Sequence, residues 1–426
     1  MSCFRKDLSI PGLIAHIHKL FSKIPDPRPH TQSQIPIVDH LMAGLAVFGL
    51  KCPSLLDYDR KRATEATAEN LRELYMVKNP PSDTFMRERL GEVNPDYLRP
   101  VFKKMFSLFQ RGKGLEEFEY IDGHVLLSGD GTGHFSSNRV SCSCCCKKEH
   151  SNGTITYYHQ MFGVCVVHPD KRNVIPLCPE PILNQDGNKK NDCERNACNR
   201  FLEHFRREHP HLKAILIEDG LSSTAPNIRM IEDFDLKYIL VAKPGDHKFL
   251  FEQLEASNNA IDYEERTSDG CYHQFRFLND VSLNKSNQDV KVNIIEYRQT
   301  DAKGKETSFS WVTNITVSIT NIMNIMRGGR ARWKVENETF NTLKNLGYNF
   351  KHNYGHGKYL STVFCLLMML SFLIDQIQEV CCPLFRKCRA ALHTYRELWE
   401  NMRVLFRRVI LGSWEKFYSI LADEGF

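Results

Sequence analysis

The chain has no apolar run long enough to span a bilayer. Its most apolar stretch, YLSTVFCLLMMLSFLI at 359–374, falls short of the roughly 20 residues a membrane helix needs, and reads as a buried core helix. The opening MSCFRKDLSIPGLIAHIHKLF has neither a long apolar segment nor a small-residue cleavage site, so no signal peptide is expected. Internal repeats and low-complexity tracts are missing too, which excludes solenoid and compositionally disordered classes. Nor is there a strong excess of one charge. Lys and Arg total 56 against 51 Asp and Glu, and a net charge of +5 permits a nucleic-acid partner without demanding one. What the chain does have is length and thiols. Its 426 residues exceed one ordinary core, so two or three domains are expected, and 42% hydrophobic with 25% charged residues is normal for a globular protein. With no export signal, the 15 cysteines read as reduced thiols with a candidate metal site among them.

Periodicity divides the chain. Residues 1 to about 115 read as helical: Ile10, Leu13, Ile14, Ile17, Leu20 and Phe21 recur at helical spacing, PDPRP at 25–29 breaks that helix, and a second apolar helix covers 37–50. A third starts at the capping types Ser82 and Asp83 and runs through RERL. Arg87, Arg89, Arg99, Lys103, Lys104, Arg111 and Lys113 tilt this part basic, either as a solvated face or as a DNA contact. From residue 120 the period changes. HVLLSGD, TITYYHQMFGVCVVHP and NVIPL read as strands, NDCERNACNRFLEHFRREHP as a helix capped by Asn191 or Asp192 and stopped by Pro210, then KAILIEDG, PNIRMIEDF and KYILVAKPGD as strand, helix and strand. That succession predicts a mixed α/β sheet with helices packed on it. After Asp246 alternating segments predict a β-rich insertion, and helices return near residue 327.

Two aspartates stand at corresponding places. Asp130 follows HVLLSG and precedes GTG, and Asp219 follows KAILIE and precedes GL, so each is expected to end an apolar strand. Asp-Gly is ordinary turn chemistry, and either residue alone reads that way. Two at the carboxyl ends of strands, where sites form in α/β sheets, can converge on one cation. A third carboxylate lies in RWKVENETFNTLK at 332–344. At about 100° per residue, Glu336 falls in the apolar stripe with Trp333, Phe340 and Leu343, whereas Glu338 lies about 160° away with Lys334, Asn341 and Asn345. An unpaired carboxylate in a buried stripe costs on the order of several kcal/mol, so Glu336 needs a partner. Arg332, one turn earlier, offers a structural ion pair. A divalent cation shared with Asp130 and Asp219 offers another, and carboxylate oxygens suit Mg²⁺ or Mn²⁺.

The order of a strand-borne Asp-Gly-Thr, a second Asp-Gly, a β-rich insertion and a helix carrying Arg-Trp-x-x-Glu with a later Leu-Lys resembles the DDE transposases of bacterial insertion sequences. IPDPRPHTQSQIPIVDHLMAGLAVFGL and PSDTFMRERLGEVNPDYLRPVF resemble the helical leader of that family, so the likeness spans residues about 25 to 375. The resemblance implies an RNase H-like mixed sheet flanked by helices over 116–380, with the insertion at about 247–322, a helical DNA-binding or dimerisation region over 1–115, and a helical C-terminal region over 381–426. It further implies metal-dependent cleavage at transposon ends and strand transfer into target DNA, by a homodimer on DNA, in the cytoplasm at the nucleoid. Asp130, Asp219 and Glu336 match the triad that holds two Mg²⁺ (or Mn²⁺) ions, and Arg332 matches the arginine of a Tyr-Arg-Glu-Lys signature. DNA contacts are expected of Lys344, Trp333 and Lys243. The chain departs from the signature at Gly329, where the tyrosine would stand, and at Leu343, where the lysine would stand, with Lys344 one place late. A kink or bulge after Glu336 would rotate the helix beyond it. A catalytically inactive DNA-binding descendant, or an RNase H-like nuclease without strand transfer, are the alternatives.

SCSCCCKKEH at 141–150 supplies a C-x₂-C pair, Cys142 and Cys145, with His150 and His159 as completing ligands of a candidate structural Zn²⁺. A second C-x₂-C is lacking, and a loop of reduced thiols is the other reading. Cys193 can approach from the next helix. His352 and His356 in HNYGHGKY are four apart, but the glycines predict a loop, and a turn or phosphate contact is expected there rather than a metal. Arg386, Lys387, Arg389, Arg396, Arg403, Arg407 and Arg408 interleave with apolar residues near the C-terminus, as a solvated helix face, a dimer contact or a DNA contact.

Overall fold

The computed structural model describes residues 6–27, 35–184 and 191–423. Residues 28 and 29 of the PDPRP breaker lie outside these. The first helices form where periodicity and capping residues coincide. Helix α1 (Ile10–Phe21) opens at Ser9, whose hydroxyl accepts the Gly12 N–H, and buries Ile10, Leu13, Ile14, Ile17 and Phe21 on one face. Helix α2 (Ile37–Gly49) is buried on nearly every side. Short helices α3 (Leu55–Asp59) and α4 (Glu65–Tyr75) follow. Helix α5 (Asp83–Leu90) is capped by Ser82, as its sequence predicts, and α6 (Arg99–Arg111) closes this part.

The sheet begins with β1 (Glu119–Ile121), the long β2 (His124–Ser137), β3 (Cys146–Glu149), β4 (Ile155–Val167), β5 (Ile175–Pro176) and β6 (Glu180–Ile182). Then come α7 (Glu194–Glu208), β7 (Ala214–Glu218), α8 (Ala225–Asp233) and β8 (Lys237–Val241). Strand β4 runs antiparallel to β2, whereas β7 lies parallel to β2 and β8 parallel to β7. Each parallel step crosses over through a helix, as parallel strands require. The insertion comprises α9 (Lys248–Ala256) and strands β9 (Ile261–Arg266), β10 (Tyr272–Asn284), β11 (Asn287–Thr300) and β12 (Glu306–Thr313). It does not stand apart. Strand β12 pairs antiparallel with β8, so all 12 strands form one mixed sheet with the spine β3-β4-β2-β7-β8-β12-β11-β10-β9.

Helix α10 (Ile322–Arg330), a π-helical turn (Val335–Phe340) and α11 (Asn341–Asn345) lead to α12 (Leu360–Cys381). At 22 residues α12 runs past the apolar stretch read from the sequence and, by length and composition alone, is long enough to cross a membrane, contrary to that reading; 94% of its apolar window is buried inside the protein. Helix α2 packs on it closely at Gly44, where a Cβ would stand 2.8 Å from Leu367. This is the core helix expected from its composition. The chain ends in α13 (Pro383–Ala391), α14 (Tyr395–Arg408) and α15 (Trp414–Asp423).

Many of the basic residues at both ends hold the fold together. Arg99 is buried against Glu180, and Arg89 pairs with Asp26. Arg87 pairs with Asp83 and donates to the Tyr354 carbonyl. Arg407 reaches Asp57, and Arg403 donates to the Lys51 carbonyl. Lys51 is itself buried, paired with Asp375 and lying 3.9 Å over the Trp399 ring. Burial lowers the Lys51 pKa and raises that of Asp375, and each charge draws the other back.

Candidate active site

Asp130 does not end its strand. Strand β2 continues to Ser137, pairing with β4 from Leu126↔Val167 to Ser137↔Tyr157, so Asp-Gly-Thr-Gly is extended backbone rather than a turn. The expected turn yields to a long partner, because β4 supplies a hydrogen-bonding edge well past Asp130. Asp219 does follow directly on β7, and its carboxylate accepts the Leu221 N–H at 3.0 Å, an Asx-type turn. In the parallel register Ser128 lies opposite Ile217. Asp130 and Asp219 both lie beyond that last pair; they line one cavity, and the Asp219 charge acts on Asp130.

Glu336 reaches this place by a route different from the one its helical spacing predicts. It is exposed, not buried in an apolar stripe, and Trp333 is 46% exposed. The buried residues of the segment are Val335, Thr339, Phe340, Thr342 and Leu343. The reason is the π-helical turn over Val335–Phe340, whose i→i+5 bonds change the angular step assumed for an α-helix. Three contacts seat the turn on the sheet. Ser128 Oγ on β2 donates to the Arg332 carbonyl at 2.7 Å, and Thr339 Oγ1 meets Cys165 Sγ on β4 at 3.2 Å. Phe340 lies over Gly163, where a Cβ would come within 2.9 Å of its ring. Gly163 is the β4 residue paired with Asp130, so the missing side chain that admits Phe340 also brings the turn over Asp130. The two glutamates part company here. Glu336 faces Asp130, while Glu338 is half-buried beside Lys334 and lines a different cavity with Arg172.

The electrostatics describe a gathered set of like charges. Burial raises the Asp130 pKa above the usual carboxylate range, and the nearby Asp219 and Glu336 carboxylates push it the same way. The Gly131 N–H at 2.8 Å and the Arg332 guanidinium oppose that rise. Arg332 also stacks on the Trp333 ring at 4.2 Å. The Lys344 pKa is lowered by burial and by Lys351, while Glu336 and Asp130 attract its charge. Across an unbroken α-helix Lys344 would lie about 80° round from Glu336. The π-turn takes up one extra residue and returns it toward the carboxylates, which accounts for its late position in the sequence. Gly329 has a structural reason as well: it presses on Trp311 of β12, and a Cβ there would stand 2.6 Å from the indole nitrogen, so no tyrosine fits. Lys243 is exposed just past β8, with its stem 3.6 Å from where a Gly220 Cβ would be, beside the Asp219 turn.

Two further carboxylates stand here that sequence reasoning passed over. Glu194, in the first turn of α7, lies over Gly131, where any Cβ would overlap it, and accepts a 2.9 Å bond from Gln160. Burial raises its pKa, and so do Asp130 and Asp219. Glu218 is buried beside Cys198, and burial pushes its pKa up to about 7. Both, with Asp130 and Asp219, line a cavity of about 520 Å³. The signal for Glu194 was an acidic residue at the start of a helix, which reads equally well as a dipole complement.

The cysteine loop takes a different set of partners from the one proposed. Cys142 and Cys145 converge with His159 of β4 and with His356 from the loop between α11 and α12. His150 instead bonds Thr156 Oγ1 at 2.9 Å within the hairpin joining β3 to β4, which turns it away. Cys193 precedes α7, exposed, and lines the carboxylate cavity rather than joining the thiols. Residues 352–359 do form a loop, as the glycines predict.

No family model and no curated protein matches the chain. Among solved structures, the chain is similar to the cryo-EM structure of a piggyBac transposase synaptic complex with hairpin DNA, with a TM-score of 0.41 and 11% identity over 98% of this chain and 84% of that one.

Proposed function

We propose that the chain is a metal-dependent DNA transposase that cuts at transposon ends and joins them to target DNA. The observation that carries this reading is the convergence of Asp130, Asp219 and Glu336 from three distant segments, with Arg332 the cationic neighbour of Asp130. An antiparallel trio of strands, followed by parallel strands joined through helices, supports an RNase H-like frame for them. The donor set fits Mg²⁺ or Mn²⁺: hard oxygens only, mutually repelling, and raising the Asp130 pKa until a cation offsets them. Asp130, Asp219 and Glu336 would hold two such ions, which when bound supply Lewis-acid polarisation of the phosphate and a lowered water pKa. The chain's own groups do the rest. Arg332 offers paired N–H donors to a phosphate oxygen. Lys344 and Lys243 flank the carboxylates as point charges for the DNA backbone. Trp333, exposed beside them, presents an aromatic face to a base. Two copies acting together on paired ends complete the proposal.

The test is an assay with labelled duplex carrying the sequences that flank the gene, in Mg²⁺ and in EDTA. Cleaved and joined products in Mg²⁺ alone are expected. Cleavage without joining would make the protein a nuclease, and binding without cleavage an inactive descendant. If Asp219→Ala cuts as well as the parent, the triad assignment is wrong.

A further inference from the structure

We propose that Cys142, Cys145, His159 and His356 bind one structural Zn²⁺ that fastens the β2–β3 loop and strand β4 to the segment following the Glu336 turn. The four ligand atoms all lie within 4.8 Å of one another. Cys142 Sγ and Cys145 Sγ are 3.5 Å apart, and they lie 3.5 and 3.4 Å from His159 Nε2. His159 Nε2 is 3.4 Å from His356 Nδ1. A tetrahedral zinc with ordinary Zn–S and Zn–N bonds sets its ligands about 3.8 Å (S···S), 3.6 Å (S···N) and 3.3 Å (N···N) apart. Those four spacings match that pattern to within a few tenths of an ångström. They do not match a disulfide, whose sulfurs are about 2.05 Å apart.

Of the neighbouring thiols, Cys146 Sγ turns away to donate to the Ile182 carbonyl. Cys144 Sγ donates to the Lys358 carbonyl at 3.1 Å and also lies beside Cys142, at the edge of the cluster. Surrounding rings close the cluster in. Phe135 meets His356 edge-on with centroids 4.4 Å apart, and His134 stacks on His159 at 5.6 Å. Two thiols and two imidazoles complete four-coordination without an open position, which is the structural rather than the catalytic kind of zinc site. The consequence is mechanical. The ligands come from three segments, and the Cys144 bond to Lys358 runs beside them. His134, on the same strand as Asp130, also bonds Ser361 Oγ at the start of α12. A metal here would fix the chain after Lys344 against the strand that carries Asp130.

The experiment is metal analysis of the full chain purified under reducing conditions without added metal, followed by exchange with Co²⁺. About one zinc per chain is expected, and the cobalt form should show the intense visible bands of a tetrahedral site with thiolate charge-transfer absorption. Cys145→Ser and His356→Ala should each weaken binding roughly tenfold or more, while His150→Ala leaves it unchanged. Asp219→Ala should keep its zinc whether or not it cuts DNA, which separates this proposal from the reading of the carboxylates. A folded parent chain that holds no zinc and gives no tetrahedral cobalt spectrum overturns the proposal, as does a Cys142–Cys145 disulfide found by mass spectrometry. The parent's cobalt spectrum decides the matter even where a variant fails to fold.

Discussion

Two clusters of candidate ligating side chains, one including Asp130 of β2 and the other His159 of β4, differ in almost every respect. The carboxylates of Asp130, Asp219 and Glu336 are hard and like-charged, the first two half-buried and the third exposed, with a cavity of about 520 Å³ alongside. The Cys142, Cys145, His159 and His356 cluster is soft, complete at four ligands and lined by rings. An open oxygen site leaves coordination positions for a phosphate and exchanges its ions, whereas a closed thiolate–imidazole site has no room for a substrate and holds its ion. On the proposed reading, one serves chemistry and the other shape. The shape is that of the first site, since His159 is on the strand paired with β2 and His356 lies beyond the Glu336 turn.

The sharpest way to break this contrast is to exchange the two neighbouring glutamates. Cleavage should fall at least ~10²-fold in Glu336→Gln and stay near the parental rate in Glu338→Gln. Loss only in Glu338→Gln would mean that the site lies on the other side of the turn. Next comes chelation. Brief EDTA should stop cleavage reversibly with little change in melting temperature. A zinc chelator that empties the thiol cluster should lower stability by about 3 kcal/mol or more, read as a falling melting temperature before activity is measured. Equal effects of the two chelators on melting would erase the division between chemistry and shape.

Gly163→Ala tests the physical link between the regions. Its Cβ would meet the Phe340 ring, so a stability loss of about 1–3 kcal/mol is expected, with reduced cleavage at unchanged zinc content. The smallest effect concerns a residue remote from both clusters. His209, packed on Phe106 with centroids 4.6 Å apart, has its pKa lowered to about 4 by burial, and by Lys103 and Arg206. The unfolded chain then takes up the proton first, so stability is full above about pH 6.5 and falls as pH drops toward 4. His209→Phe keeps a ring in place and should flatten that slope, which amounts to at most about 2 kcal/mol in acid melts.

Local structure was readable wherever one period or one cap dominated. Ser82 started α5, the apolar spacing from Ile10 to Phe21 made α1, and KAILIEDG and KYILVAKPGD became the parallel strands β7 and β8. Asp130 was misplaced because glycine-rich extended backbone and a turn look alike without the pairing strand. The helical spacing that puts Glu336 in a buried stripe fails: it assumes 100° per residue, the π-turn does not keep it, and Glu336 is exposed. His150 was preferred to His356 because it is near in sequence, while the actual neighbour arrives from 197 residues beyond His159.

The residue types, then, settle which chemistries are available: carboxylates followed by glycine, an Arg-Trp-x-x-Glu helix, and a C-x₂-C pair among histidines. Their kinds and local spacing are properties of short segments. Which of them meet is a property of the sheet. The parallel pairing of β2 with β7 brings the segments of Asp130 and Asp219 to one cavity, and Gly163 opens the space for Phe340. The loop before α12 carries His356 to the thiols. Contacts between distant segments depend on strand order and close packing, which no window along the chain contains.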